Sequence, residues 1–209
     1  MRKHFTAMRK AGLSLAFFAL ISVVLVAVTN RLTKEKIIEN QTMMLMQALN
    51  EVVPSDLYDN DLANSKTILK SQDTGFAKDT PVYLATLKGQ PATAIFEVTT
   101  LKGYSGAITI LIGVNASDHK LSGVRVIKHK ETPGLGDKME TRKTNWILAF
   151  NGKSLNNPDM SGWQVKKDGG AFDQFTGATI TPRAIVNAVK TTLIYAQDNM
   201  DNLFQAGAK

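Results

Sequence analysis

Residues 81–115 read "PVYLATLKGQPATAIFEVTTLKGYSGAITILIGVN". Three runs rich in Val, Ile, Thr and aromatic side chains (VYLATLK, ATAIFEVTT and GAITILIGVN) are separated only by short Lys-Gly-Gln-Pro and Lys-Gly-Tyr-Ser punctuation. β-Branched and aromatic runs bounded by Gly and Pro read as strands, and connections this short favour antiparallel pairing. LSGVRVIK, at 121–128, continues the same texture and extends the meander. On the C-terminal side, "METRKTNWILAFNGK" (139–153) reads as a short helix through Trp146, Ile147 and Phe150, and "SLNNPDMSG" (154–162) is polar and turn-rich. In "TPRAIVNAVKTTLIYAQDNM" (181–200), Thr181 suits a helix N-cap and Pro182 the first helical position, while Ile185, Val189, Leu193 and Ala196 share one apolar face. Strands closed by helices make an α+β domain, largely antiparallel with flanking helices.

On the N-terminal side, residues 54–80 are rich in Asp, Asn, Ser and Gly and read as a loop region with little regular structure. Before them, "LTKEKIIENQTMMLMQALNEVVP" (32–54) spaces Leu32, Ile38, Leu45, Leu49 and Val52 as a helix that ends before Pro54. Its Met43, Met44 and Met46 suit either a partner-docking surface or packing against the chain's own domain. From Ala11 to Thr29 no residue is charged. At about 1.5 Å per helical residue, such a segment reaches the roughly 30 Å of a bilayer core. The expected organisation is a cytoplasmic tail (1–10), a transmembrane helix (11–29), a stalk helix (30–53) and an extracytoplasmic domain (54–209). A cleaved signal peptide shares the basic start and apolar run, but this run is long for one and "VAVTN" is a poor small-x-small cleavage site.

The net charge of +7 is concentrated at the N-terminus: residues 1–36 hold seven Lys/Arg and one acid, leaving +1 for all the rest. That argues against a nucleic-acid surface and, through Arg2, Lys3, Arg9 and Lys10, places the N-terminus inside and the bulk of the chain on the far side of a lipid bilayer. The absence of cysteine excludes disulfides, thiolate zinc sites, iron-sulfur clusters and c-type haem attachment. No hydrolase, phosphate-loop, zinc-protease or dinucleotide motif is present, and no carboxylate-rich cluster suggests a metal site. His4, His119 and His129 stand beside basic or loop residues and read as surface histidines.

Three stretches remain that are unusually rich in glycine and hydroxyls. "KGYSGAI" carries Gly103, Tyr104, Ser105 and Gly106 at the start of a strand. "KHKETPGLGDK" carries Glu131, Thr132, Pro133, Gly134, Leu135 and Gly136, and "KKDGGAFDQFTGAT" carries Lys166, Lys167, Asp173, Thr176, Gly177, Ala178 and Thr179. Each alone is compatible with an ordinary turn; together they outline a site rich in donors and close backbone approaches. Thr179 lies two residues ahead of the expected N-cap, so a phosphate near its hydroxyl would meet the unpaired amides and positive end of the helix. That dipole contributes about 0.3–1 kcal/mol at an exposed site, enough to orient a phosphate but not to hold a cofactor alone. Local physics equally allows Thr179 merely to shape the approach to the helix.

"DQFTGAT" (173–179) fits the pattern D-x-x-[ST]-G-A-[ST] and resembles the flavinylation motif of the bacterial FMN-binding domain family. With the N-terminal anchor, GYSGAI, ETPGLGDK, VKKDGG and FDQFTGATITPRA in that order, the chain resembles the G-subunit family of Rnf-type ion-translocating electron transport complexes over almost its whole length. It is more distantly similar to the C subunits of sodium-pumping NADH:quinone reductases. The resemblance implies FMN joined through its phosphate to Thr179 by a Mg-dependent flavin transferase that draws on FAD. It further implies that Asp173 and Thr176 recognise or position, that GYSG and ETPGLG wall the pocket, and that Lys166 or Lys167 offsets flavin or phosphate charge. The implied role is that of an inner-membrane electron relay working with other membrane subunits. A membrane-anchored flavin reductase for a soluble acceptor and a non-redox scaffold subunit are the alternatives.

Overall fold

The computed structural model describes residues 2–207. The architecture is α+β. In chain order it comprises α1 (Arg2–Val52), β1 (Lys66–Leu69), the one-turn α2 (Ser71–Thr74), β2 (Thr80–Leu87), β3 (Gln90–Gly103), β4 (Gly106–Asn115), β5 (Leu121–Lys128) and α3 (Ile180–Gly207). The chain divides between Leu45 and Met46 into two compact units.

In the first unit α1 is long and apolar enough to cross a membrane. Leu13, Leu15, Phe17, Phe18, Leu20 and Leu25 are all exposed, and the polar groups among them are internally satisfied. The Ser14 and Ser22 hydroxyls donate to the Lys10 and Phe18 carbonyls at 3.0 and 2.9 Å. A hydroxyl that bonds back to its own helix leaves no donor to be hydrated, which is what a lipid surround demands. The helix runs unbroken past Thr29, and Met43 and Met44 are exposed on it.

In the second unit the five strands pair in the order β1-β2-β3-β4-β5, every pair antiparallel, as the short connections predict. Alternation sends Ala94, Phe96 and Val98 of β3 and Ile108, Ile110, Ile112 and Val114 of β4 to one face, where Ile185, Val189, Leu193 and Ala196 of α3 cover them. Burying each large aliphatic side chain contributes about 1.5–3 kcal/mol, so this face is the main source of stability. The opposite face receives the last turns of α1, with Leu49 and Val52 fully buried. Gly113 and Gly123, directly paired across β4 and β5, make that approach possible. A Cβ on Gly113 would lie 2.5 Å from Val52 Cγ1, and one on Gly123 would lie 3.1 Å from the Val52 backbone.

Two segments differ from expectation. Residues 54–80 contain β1 and α2 rather than loop alone. β1 is an edge strand with an exposed and half-buried pattern, so its ladder with β2 creates it without the apolar alternation that marks inner strands. The expected helix over 139–153 is instead two 3-10 segments, Gly136–Met139 and Trp146–Phe150. Thr144 interrupts it: the Thr144 hydroxyl donates to the Lys138 carbonyl at 2.6 Å and accepts the Trp146 N–H at 3.2 Å, offering the backbone an alternative to helical pairing.

Candidate functional site

An aromatic cluster carries the loops that follow β5. Phe150 stacks on Phe172 at 4.6 Å, Trp163 lies 5.1 Å from Phe172, and Trp146 meets Phe175 edge-on at 5.0 Å. The Trp146 indole N–H also donates to the Asp173 carbonyl at 2.7 Å. Phe172 and Phe175 are buried, so the backbone between them, where Asp173 sits, is anchored at both ends.

Two of the glycine-rich stretches are tight turns built on the same logic. In Thr132-Pro133-Gly134-Leu135 the Leu135 N–H returns to the Thr132 carbonyl at 3.1 Å, and Gly134 has φ +79°. In Phe175-Thr176-Gly177-Ala178 the Ala178 N–H returns to the Phe175 carbonyl at 3.0 Å, and Gly177 has φ +80°. A left-handed third residue favours glycine, and Pro133 in the second position is pre-set for such a turn. The two turns approach each other: a Cβ on Gly177 would lie 3.7 Å from Leu135 Cδ2.

Glu131 ties the first two stretches to the start of α3, just beyond the third. Its carboxylate is 5% exposed; Oε1 accepts the Ser105 N–H at 2.9 Å and Oε2 accepts the Thr181 hydroxyl. Ser105 belongs to the Tyr104-Ser105 turn joining β3 to β4, and Thr181 to the first turn of α3. Gly103 and Gly136 leave the room this requires, since a Cβ on either would come within 2.9 or 2.7 Å of a Glu131 carboxylate oxygen. The Glu131 N–H donates to His129 Nδ1 at 3.1 Å, which leaves Nε2 as the protonated ring nitrogen facing Glu140 at 2.6 Å. Arg142, and then His129, hold the Glu140 carboxyl below its usual range through hydrogen bonds. His129 is thus half-buried and structural rather than a surface histidine, because it supports the loop that carries Glu131.

The start of α3 also differs from expectation. The Arg183 N–H bonds to the Thr179 carbonyl at 3.3 Å, so Thr179 itself is the N-cap, while Thr181 and Pro182 lie inside the first turn. Proline is tolerated there because first-turn N–H groups have no intrahelical acceptor, and the Thr181 hydroxyl is engaged by Glu131 instead of capping. Thr179 is half-buried, and its hydroxyl makes no hydrogen bond among the described residues.

The remaining residues singled out from the sequence are placed as follows. Lys166 pairs with Asp173 at 2.6 Å, both well exposed, and the Lys167 N–H donates to the Gln174 side chain at 3.1 Å. Tyr104 is 70% exposed at its turn, and Thr132, Pro133, Thr176 and Gly177 are also exposed. Gly106 pairs with Gly103 across that turn at φ +111°, and Ala178 is half-buried. No hydrogen bond or ion pair joins Tyr104, Asp173 or Thr176 to Thr179 among the described residues. Sequence reasoning missed Thr181 as the partner of Glu131, along with His129, Glu140, Asp168 and Arg183. The cue available for Thr181 was its position just after the motif, which suits a cap equally well.

Glu131→Ala is expected to leave the Ser105 N–H and the Thr181 hydroxyl without their acceptor, at a cost of about 3 kcal/mol. Thermal denaturation of the full chain in mild detergent should show a Tm lower by roughly 6–12 °C. Glu131→Gln keeps one acceptor oxygen and the side-chain volume, so its loss should be less than half as large.

The family model for the FMN-binding domain matches residues 103–194, which include GYSG, ETPGLG and DQFTGAT, and that for the RnfG N-terminal region matches residues 1–52. The G subunit of the ion-translocating oxidoreductase complex of Photorhabdus laumondii is 47% identical over 205 residues, covering 97% of this chain and 98% of that one. The corresponding G subunits of Vibrio cholerae and Vibrio atlanticus are 46% and 45% identical, covering 95% and 92% of this chain and 94% and 92% of their own lengths. The crystal structure of Shewanella oneidensis NqrC is 23% identical with a TM-score of 0.45, over 71% of this chain and 72% of that one. Matched along nearly its whole length, the chain belongs to the G-subunit family of ion-translocating oxidoreductase complexes.

Proposed function

We propose that this chain relays electrons through an FMN held by a phosphoester bond to Thr179, as the single-span subunit of a membrane redox complex that couples electron flow to ion movement. The observation that carries the reading is the Thr179 hydroxyl: unbonded among the described residues, half-buried, at the N-cap of a 28-residue helix and at the last position of D-x-x-T-G-A-T. The surroundings fit the group. The turn before it needs glycine, a Cβ on Gly177 would meet only Leu135 within 4 Å among the described residues outside its chain neighbours, and the N-cap position sets a bound phosphate against the first-turn amides of α3.

For attachment, the Thr179 oxygen would bond to the FMN-side phosphorus of FAD as the P–O–P bond breaks, AMP would leave, and the hydroxyl proton would pass to the flavin transferase. A threonine hydroxyl is a weak nucleophile and no base contacts Thr179 among the described residues, so activation belongs to that enzyme. The bound flavin supplies reversible electron transfer, while the protein supplies placement. Glu131 fixes Ser105 and Thr181 relative to each other, and the Leu135 turn lies beside the attachment turn. The covalent tether keeps the ring near its pocket at an effective concentration of roughly millimolar, which matters where a dissociated cofactor is diluted away.

α1 anchors the chain in the inner membrane, and the basic N-terminus orients residues 54–209 toward the periplasm. One helix does not form an alternating-access pathway, so ion movement belongs to other membrane subunits of the complex. The test is purification in mild detergent after co-expression with the transferase. Co-isolation of other membrane subunits, with a protein-bound flavin spectrum that bleaches and recovers through them, is the expected result. Recovery of the chain alone, fully active toward a soluble acceptor, would establish the reductase alternative, and absence of any chromophore the scaffold alternative.

A further inference from the structure

Arg183 lies four residues beyond Thr179, in the first turn of α3. Helical side chains lean toward the N-terminus and residues four apart share a face, which puts Arg183 on the side of the helix end that Thr179 caps. A cation in a first turn opposes the helix dipole, so this position costs stability unless an anion accompanies it. Asp168 is one such anion: Arg183 Nε donates to Oδ2 at 2.5 Å and Nη2 to Oδ1 at 2.6 Å. These hydrogen bonds hold the Asp168 carboxyl below its usual range, with Lys167 adding to the effect. A guanidinium has five N–H donors in a fixed plane, and the fork onto Asp168 uses two of them. Three donors remain, on a side chain that is 45% exposed. Lys166, Lys167 and Arg183 outweigh Asp168 and Asp173 by one positive charge, matching the single negative charge of a phosphodiester.

We propose that Arg183 is the charge partner of the phosphodiester on Thr179, with Asp168 orienting its guanidinium and the spare N–H donors binding the non-bridging oxygens. The proposal rests on covalent attachment at Thr179 and adds a positioning residue to it. Lysine supplies the charge without the planar fork, so it substitutes only in part.

The test uses the full chain, co-expressed with the flavin transferase and purified in a phosphorus-free detergent. Intact mass reads flavin incorporation, and ³¹P NMR reads the phosphodiester resonance of wild type, Arg183→Gln, Arg183→Lys and Asp168→Asn. The expected result is a displaced resonance in Arg183→Gln, partial return in Arg183→Lys, and a clearly smaller displacement in Asp168→Asn, whose arginine is still present but less firmly oriented. If Arg183 serves only to tie the 166–168 loop to α3, Arg183→Gln and Asp168→Asn will act alike; that outcome, or an unmoved resonance in flavin-loaded Arg183→Gln, overturns the proposal. Should Arg183→Gln carry too little flavin for NMR, incorporation decides: loss confined to that variant supports the proposal, and equal loss in Asp168→Asn overturns it. A wild-type chain that lacks a phosphodiester resonance overturns the attachment itself, and with it this role for Arg183.

Discussion

Thr179→Ala is expected to abolish covalently held flavin, from one per chain to none, while the domain stays folded. The substitution removes the only oxygen proposed to receive the phosphate. It disturbs little else, because that hydroxyl makes no hydrogen bond among the described residues. Losing a threonine N-cap typically costs about 0.5–2 kcal/mol, and a cap hydroxyl that bonds no amide belongs at the low end. Neighbouring hydroxyls are poor substitutes. Thr181 is fully buried and committed to Glu131, and Thr176 lies on the opposite side of the Gly177 turn in sequence. Thr179→Ser retains the nucleophile and is expected to remain flavinylated. A denaturing gel viewed under ultraviolet light checks both: fluorescence in wild type and the serine variant, none in the alanine variant.

Gly170→Ala carries an expected loss of stability at least as large as that of Glu131→Ala. A Cβ there would collide with the carbonyl group of Gln164 and lie 2.6 Å from its Cα. Those are backbone atoms held by their own pairings, in which Gly170 N–H bonds to the Val165 carbonyl at 3.1 Å and Phe172 N–H to the Gln164 carbonyl at 3.2 Å. No rotamer change relieves the contact, so the loop that seats Phe172 and Phe175 in the aromatic cluster must shift as a whole. Overpacking commonly costs 1–3 kcal/mol and rises where the neighbour cannot yield, so about 3 kcal/mol or more is expected, with Tm lower by roughly 10 °C. Since the same loop leads into DQFTGAT, flavin incorporation should fall with it. Near-ultraviolet circular dichroism, which reads the packing of Trp146 and Trp163, follows the first effect, and intact mass follows the second.

The inner strands were legible because burial on both sides of the sheet writes itself into residue choice: Ile95 and Phe96, and Ile110 and Leu111, point to opposite faces and leave no polar reading of their segments. α3 was legible for the same reason, through Ile185, Val189 and Leu193. β1 was not, since an edge strand draws on backbone pairing that any residue can supply, and Lys66 and Thr67 carry no signature of it. The turns of the candidate site were readable from Pro133, Gly134 and Gly177, whose backbone requirements are local. What ties them together was not readable, because it is one buried carboxylate bridging residues 26 and 50 positions away. Thr181 shows the limit of local reasoning: its place before a proline suited a cap, but a tertiary partner claimed the hydroxyl and moved the cap to Thr179. That displacement sharpens the case for Thr179, which stands directly on the helix end rather than two residues short of it.

The central claim is the bond at Thr179, and peptide mapping of the protein matured with its transferase tests it most directly. Tryptic cleavage after Lys167 and Arg183 yields residues 168–183, which contain Thr176, Thr179 and Thr181. This peptide is expected to gain the mass of one FMN less one water, with fragmentation placing the gain on Thr179. An unmodified peptide from flavin-containing protein, or a gain on Thr176 or Thr181, would contradict it.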